Sequence, residues 1–167
     1  MPSTLALAVD FRLLVDKVVN SAKVLEFFNV NVPFHATLGL QVLQAQAGIS
    51  RLILPFRPDL LGDAGRPAIH GGVLATVLDV AGGAAVMSMI GEHDRTSTID
   101  FRVDYLRPGE KRDLFGEARV VRMGTRVAVA SALVHHGDPT QPVAEGRLVY
   151  DIRRRAAPVS DESNEQA

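Results

Sequence analysis

The chain contains no cysteine. That excludes disulfides, thiolate–zinc sites and cysteine nucleophiles together. A charge of one sign is missing too. Lys and Arg number 18 against 19 Asp and Glu, a formal net charge of −1. Nucleic-acid binding and strong electrostatic attachment to a membrane both need a basic excess, so neither partner is expected. The opening MPSTLALAVDFR lacks a basic n-region, and Asp10 and Arg12 interrupt any apolar core. No secretory signal is therefore expected, and the cytoplasm is the expected compartment. Several catalytic signatures are also lacking: no HExxH, no GxSxG elbow, no phosphate loop and no dinucleotide fingerprint. The histidines at 35, 70, 93, 135 and 136 show no metal spacing except the adjacent His135–His136, which reads as a solvated strand end. No metal site is expected from that spacing.

What is present is one domain's worth of chain, 167 residues, enough to bury a single sizeable core. Residues 10–28 carry Phe11, Leu14, Val18, Ala22 and Leu25 at helical spacing, and Pro33 ends that region. Leu38–Ala47 and Ser50–Arg57 alternate as strands about a turn at Gly48. Pro58–Pro67 reads as a loop, since it holds two Pro and two Gly. The run Gly71–Gly91 is long enough to span a membrane. A central Asp79 and four glycines before Gly91 argue instead for the buried helix of a soluble domain. Strand patterns follow over Thr98–Arg107, Leu114–Met123, Thr125–His136 and Val143–Arg153, with turns at Pro108–Glu110, Gly124 and Gly137–Pro139. A helix apolar nearly all round must be wrapped. The expected class is therefore α+β: a curved antiparallel sheet around one long central apolar helix, with an extra N-terminal helix. The expected division is residues 1–32 as a helical extension, 33–155 as the main domain and 156–167 as a polar, disordered tail.

The one constellation with chemical content is His70-Gly71-Gly72, then six residues, then Asp79. First-turn N–H groups of a helix have no intrahelical partners and sit at the positive end of its dipole. Two glycines there let a substrate approach bare backbone, as an oxyanion hole requires. Asp79 lies mid-helix among Val77, Leu78, Val80 and Ala81, where an uncompensated charge is expensive. Small residues one turn either way leave room on its face, which suits a general base or nucleophile. Gly71 and Asp79 are eight residues apart, roughly 12 Å along the axis. A reacting carbonyl must lie about 3 Å from both donor and base. One helix cannot supply both, so a homodimer with two composite sites is expected. Each residue alone also has a structural reading: a tight helix entry, a packed histidine, an aspartate paired with a core arginine.

The segment Ala68–Asp79, AIHGGVLATVLD, with Ser97–Pro108, STIDFRVDYLRP, resembles the PaaI-type acyl-CoA thioesterases of the hotdog superfamily. Further similarity lies in Pro33-Phe34-His35 with Leu38-Gly39-Leu40, in Val121–Arg126 and in Ala144–Arg147, so the resemblance covers about residues 33–153. It implies a hotdog fold and hydrolysis of acyl-CoA without metal or cofactor, with CoA entering only as part of the substrate. It implies Asp79 as base or nucleophile supplied by the neighbouring subunit, Gly71 as the oxyanion N–H, and His70 shaping the turn. A Ser or Thr at Thr98 would help place the water or the aspartate. The alternation sets Thr98 on the face opposite Ile99 and Phe101, which makes Ser97 the fallback. The family's CoA-contacting hairpin matches Arg122, Gly124, Thr125 and Arg126, with Gly72 at the helix entry and Arg107 assisting. The sequence departs from the family in the loop before His70. An Asn is usual six or seven residues earlier, and Ala64 and Asp63 stand there instead. Ionised, Asp63 accepts a hydrogen bond but cannot donate one.

These features point to a dimeric or tetrameric acyl-CoA thioesterase. A hotdog hydratase or dehydratase would want a His base with an acid beside it, and His70 has no such neighbour in sequence. A non-catalytic acyl-CoA-binding hotdog protein is the alternative from another class, supported by the missing Asn.

Overall fold

Local chain chemistry decides the N-terminal elements. The computed structural model describes residues 21–63 and 65–155. Residues 10–20 of the expected helix, Ala64 and the tail 156–167 lie outside the described residues. Within them, α1 (Ser21–Val30) buries Val24 and Phe28, an i, i+4 pair, while Ala22 is exposed and Leu25 half-buried. The inward stripe is thus rotated from the one expected. Contacts decide this: Phe28 stacks on His35, with ring centroids 5.6 Å apart. A second helix, α2 (Pro33–Leu38), ends on Leu38, where the strand was expected to begin. Pro33 presets the helical φ at its first turn. Gly39, at φ 74°, closes its C-terminus in the left-handed conformation. The apparent alternation Leu38–Leu40–Val42 therefore straddled a helix end.

Strand β1 (Gln41–Gln46) turns directly into β2 (Ile49–Leu54) through Ala47 and Gly48, both at positive φ, the geometry of a tight primed hairpin turn. The expected loop 58–67 holds more structure than its Pro and Gly suggest. A 3-10 turn (Pro58–Leu60) buries Leu60, and β3 (Leu61–Asp63) pairs with β4 (Arg66–Ile69) as a small ribbon. Pro67 is tolerated because the ribbon has only two strands and an open edge. Then come α3 (Gly71–Met87), β5 (Arg95–Tyr105), β6 (Leu114–Met123), β7 (Val127–His135) and β8 (Ala144–Arg153).

The six long strands form one antiparallel sheet in the order β1-β2-β6-β7-β8-β5, and α3 packs against every one of them. Inward Leu52, Leu54, Leu114, Val134 and Leu148 meet Val77, Leu78 and Val86 of α3. Each fully buried aliphatic side chain contributes roughly 1.5–3 kcal/mol. Alanines at 128, 130 and 132 on β7 and at 81, 84 and 85 on α3 keep helix and sheet close. Polar clasps fix the helix lengthwise. Ser50 Oγ donates to Ala81 O at 2.6 Å, and Gly48 N–H donates to Ser88 Oγ at 2.8 Å. The result is the wrapped-helix architecture expected from the sequence. Among the described residues no helix is long and apolar enough to cross a membrane.

Candidate active site

His70 caps α3 in extended conformation, φ −60° and ψ 134°. Its own N–H is held by Leu60 O at 2.9 Å, and the preceding Ile69 N–H by Gly109 O at 2.9 Å. The imidazole turns back, and its Nδ1 accepts the Gly72 N–H at 2.9 Å, so in the neutral ring the proton sits on Nε2. A Cβ on residue 72 would lie 2.9 Å from that Nδ1, so only glycine lets the cap close. The N–H groups of Val73 and Leu74 go to His70 O. The Gly71 N–H is left with no acceptor among the described residues. Tyr105 stands over this donor, and its hydroxyl donates to Gly71 O at 3.2 Å.

Asp79 is half-buried and held by hydroxyls rather than by a cation. Thr98 Oγ1 donates to Asp79 Oδ1 at 2.8 Å. The Tyr150 hydroxyl donates to Asp79 O at 2.8 Å and lies 3.4 Å from the same Oδ1. Burial pushes the Tyr150 phenol well up, and the adjacent Asp79 carboxylate adds to that, so Tyr150 remains a protonated donor at neutral pH. Gly82 makes this approach possible, because a Cβ there would sit 2.3 Å from the Tyr150 oxygen. Asp79 Oδ2 has no hydrogen-bond partner among the described residues. The carboxylate opens on a cavity of about 210 Å³ that α1, α2, α3 and β5 line together.

The strand beside α3 corrects one expectation. Thr98 pairs with Tyr150, but Asp100 pairs with Val149, so Ile99 is an extra residue in a β-bulge. The bulge resets the alternation. Thr98, Phe101, Val103 and Tyr105 all share the face of Tyr150, Leu148, Gly146 and Ala144, and that face lies against α3. Thr98 therefore does reach the helix. Ser97 pairs with Asp151 on the other face and makes no hydrogen bond to Asp79.

Comparison with known proteins agrees with this arrangement. The model of the family described as thioesterase superfamily matches residues 67–143. The medium/long-chain acyl-CoA thioesterase YigI of Salmonella typhimurium is 34% identical over 126 residues, covering 68% of this chain and 81% of that protein. YigI of Escherichia coli K12 is 33% identical over 124 residues, covering 66% of this chain and 80% of that protein. The chain belongs to the thioesterase superfamily.

Solved structures place this superfamily member in the hotdog fold. A thioesterase family protein from Silicibacter pomeroyi superposes with a TM-score of 0.72 at 28% identity, over 78% of this chain and 96% of that one. A Shewanella oneidensis protein related to the thioesterase superfamily gives 0.69 at 33% identity, over 78% and 93%.

Within this hotdog domain the remaining expected site residues are scattered. Asp63 lies exposed at the ribbon tip, where its Oδ1 accepts the Gly65 N–H at 2.8 Å, and no hydrogen bond links it to His70, Gly71 or Asp79. Arg122 is the penultimate residue of β6, and Gly124, Thr125 and Arg126 form the turn into β7, at the Thr98 end of the sheet. Gly124 N–H donates to Val127 O at 2.9 Å, which tightens that turn. Arg107 follows β5 at the opposite end, hydrogen-bonded to Gln141. The two groups stand at rows marked by Ala144 and Tyr150, six residues apart on β8 and so roughly 20 Å at the strand rise. Among the described residues, no three His, Asp or Glu gather as a metal site.

Tyr150 and Tyr105 escaped the sequence reading. Tyr150 had a signal: a tyrosine among inward-facing Leu148 and Ile152 must find a partner for its hydroxyl. Paired glycines at 82 and 83 in mid-helix were the matching half of that signal.

Proposed function

We propose that the chain hydrolyses acyl-CoA thioesters, with Asp79 as the base or nucleophile and the Gly71 N–H of a second copy as the oxyanion donor. The observation that carries this is the Asp79 carboxylate: one oxygen held by Thr98 and close to Tyr150, the other without a partner among the described residues, beside a largely apolar cavity. The names of the YigI relatives, medium/long-chain acyl-CoA thioesterases, support the same substrate class. Acting as base, Asp79 takes a proton from water as its oxygen attacks the thioester carbonyl. The tetrahedral oxyanion is stabilised by the Gly71 N–H, which has no competing acceptor among the described residues. Collapse breaks the C–S bond, the CoA thiolate takes up the proton, and the acyl group leaves as a carboxylic acid.

The second copy is argued from β5. It is an 11-residue edge strand, and Ile99, Phe101 and Tyr105 are 57%, 38% and 56% exposed on it. A long apolar edge of this kind calls for a partner. Two copies of β5 running antiparallel about a two-fold axis at Arg102 set Phe101 opposite the partner's Val103 on the α3 face and, because Ile99 is the bulged residue, bring Tyr105 beside the partner's Thr98. Gly71, under Tyr105, then faces the partner's Asp79. The same pairing carries Arg107 to the end of the sheet where the partner's Arg122, Gly124, Thr125 and Arg126 lie. Those residues, with Gly72, are the proposed contacts for CoA phosphates. Asp63, at the ribbon tip, is assigned no step. An acyl-CoA substrate goes with the cytoplasm as the proposed compartment.

A free-thiol release assay over a panel of acyl-CoA esters tests the proposal. Wild type should release CoA from at least one ester class, and Asp79→Asn should not while keeping its fold. Tight acyl-CoA binding with no thiol release by wild type would instead favour a binding protein.

A further inference from the structure

Asp79, Gly83 and Met87 stand at i, i+4 and i+8 on one face of α3, a line of roughly 12 Å. The cavity beside Asp79 follows that line, with Thr98 and Thr96 of β5 on its flank. Its roof is the N-terminal helix pair. Phe28 and His35 stack there at an interplanar angle of 3°, and His35 Nδ1–H donates to Phe28 O at 2.9 Å. The roof is pinned to the sheet: Asn29 Nδ2 donates to Val42 O at 2.9 Å, and Val42 N–H donates to Asn29 Oδ1 at 2.8 Å. Beyond it lies a second cavity of about 80 Å³ against Val24 and Ile90. Phe27, Met87 and Arg95 line both cavities. They are the wall between them. Phe27 is set edge-on to Phe28 at 5.3 Å, and Met87 is an unbranched, adaptable side chain.

We infer that the cavity beside Asp79 takes the acyl chain, and that the Phe27–Met87 wall sets the chain length accepted. This rests on the thioesterase assignment proposed above and specifies its substrate: an unbranched aliphatic acyl group lying along α3, its carbonyl at Asp79 and its methyl end at Phe27. A largely apolar run of roughly 12 Å along α3 matches the length of an extended alkyl chain more closely than a single ring. Gly83 keeps the middle of the run open, because a Cβ there meets only Phe28 Cζ and Tyr150 Cε1, both at 3.8 Å. Removing the wall joins the two cavities. Filling position 83 shortens the first.

The test is kcat/KM over a series of saturated straight-chain acyl-CoA esters, for wild type, Phe27→Ala and Gly83→Leu, with thermal melts to confirm folding. Phe27→Ala should move the optimum to longer chains. Gly83→Leu should move it to shorter ones, with a loss of about tenfold for each methylene excluded. If either variant fails to fold, Phe27→Leu and Gly83→Ala should give the same two directions at smaller size, and the 3.8 Å clearance at Gly83 accommodates a methyl. Folded variants with the wild-type chain-length profile would overturn the inference while leaving the thioesterase assignment intact. A wild type that hydrolyses no member of the series but does hydrolyse branched or aryl esters would likewise overturn the inference alone. A wild type inactive on every acyl-CoA would overturn both.

Discussion

The two functional stretches of α3 differ in how finished they are within one chain. Around Asp79 everything is supplied locally: Thr98 on one oxygen, Tyr150 on the backbone carbonyl, and a partly open, largely apolar cavity beside the carboxylate. Around Gly71 there is a donor with no acceptor among the described residues, a cap that is already satisfied, and Tyr105 standing 56% exposed above it. The carboxylate end is a completed device and the oxyanion end is an open one. Their separation of eight helical residues prevents one from serving the other. The lesson is that, on the proposed function, one chain presents the two halves of a reaction centre facing different ways, which a two-fold axis would join.

The comparison can be broken at either stretch. The largest effect is expected at the carboxylate: Asp79→Asn should lower turnover by roughly 10²–10⁴-fold, the range for losing a positioned general base, with the melting temperature retained. Next is the donor. Position 71 is the first residue of α3, and His70 before it is extended, so Gly71→Pro fits the backbone and deletes the N–H, with its Cβ 3.3 Å from Tyr105 Cε1, a contact the exposed Tyr105 ring must yield to slightly. Loss of one oxyanion donor should cost about 10²–10³-fold in kcat. An unimpaired Gly71→Pro would remove the open half from the account.

A smaller effect separates holding Asp79 from merely packing near it. Tyr150→Phe deletes one hydrogen bond of about 1 kcal/mol, which predicts a fall of roughly fivefold in kcat with KM little changed. Gly82→Ala drives the phenol away sterically. Combining it with Tyr150→Phe should recover stability, since the 2.3 Å clash is with the hydroxyl oxygen itself. Additive losses of stability in that double variant would contradict the wedge geometry.

The smallest effect on activity is expected at a second carboxylate, Asp94, which contrasts with Asp79 in every respect. Its side chain is 7% exposed and paired with Arg154 at 2.9 Å. Burial pushes Asp94 up, but the N–H groups of Arg155 and Gly91 and the Arg154 guanidinium outweigh it, so the carboxyl is held below its ordinary value. A depressed folded value stabilises above the unfolded pKa and is lost as pH falls through the folded one. Asp94→Asn should therefore cost about 2 kcal/mol at neutral pH. The gap from wild type should close below about pH 4, and turnover per folded molecule should be unaltered. Urea melts across that pH range check it.

Much of this was legible in the sequence, for physical reasons that can be named. The long strands β6 to β8 were read within a few residues because half-buried strands must alternate, and α3 because an apolar run with Asp79 at its centre belongs inside a soluble domain. The expected strand began too early, at Leu38, because Leu38, Leu40 and Val42 fit a period of two, and only Pro33 and Gly39 marked the short helix that precedes β1. The side of β5 that Thr98 faces was misread because a bulge at Ile99 leaves no mark on composition. For the candidate site, His70, Gly71 and Asp79 stood out in the sequence because each is odd for its place. Tyr150, Tyr105 and the α1–α2 roof were not, because tyrosines and phenylalanines in apolar segments are ordinary. Their placement is a matter of tertiary packing.

The central claim is that each reaction centre combines Gly71 of one chain with Asp79 of another, and subunit complementation tests it most directly. Asp79→Asn and Gly71→Pro chains, each inactive alone, are co-expressed with different tags and the mixed dimer is purified. A mixed dimer holds one centre with both residues intact and one with neither, so it should recover about half the wild-type turnover per dimer. A mixed dimer as inactive as its parents would contradict the account.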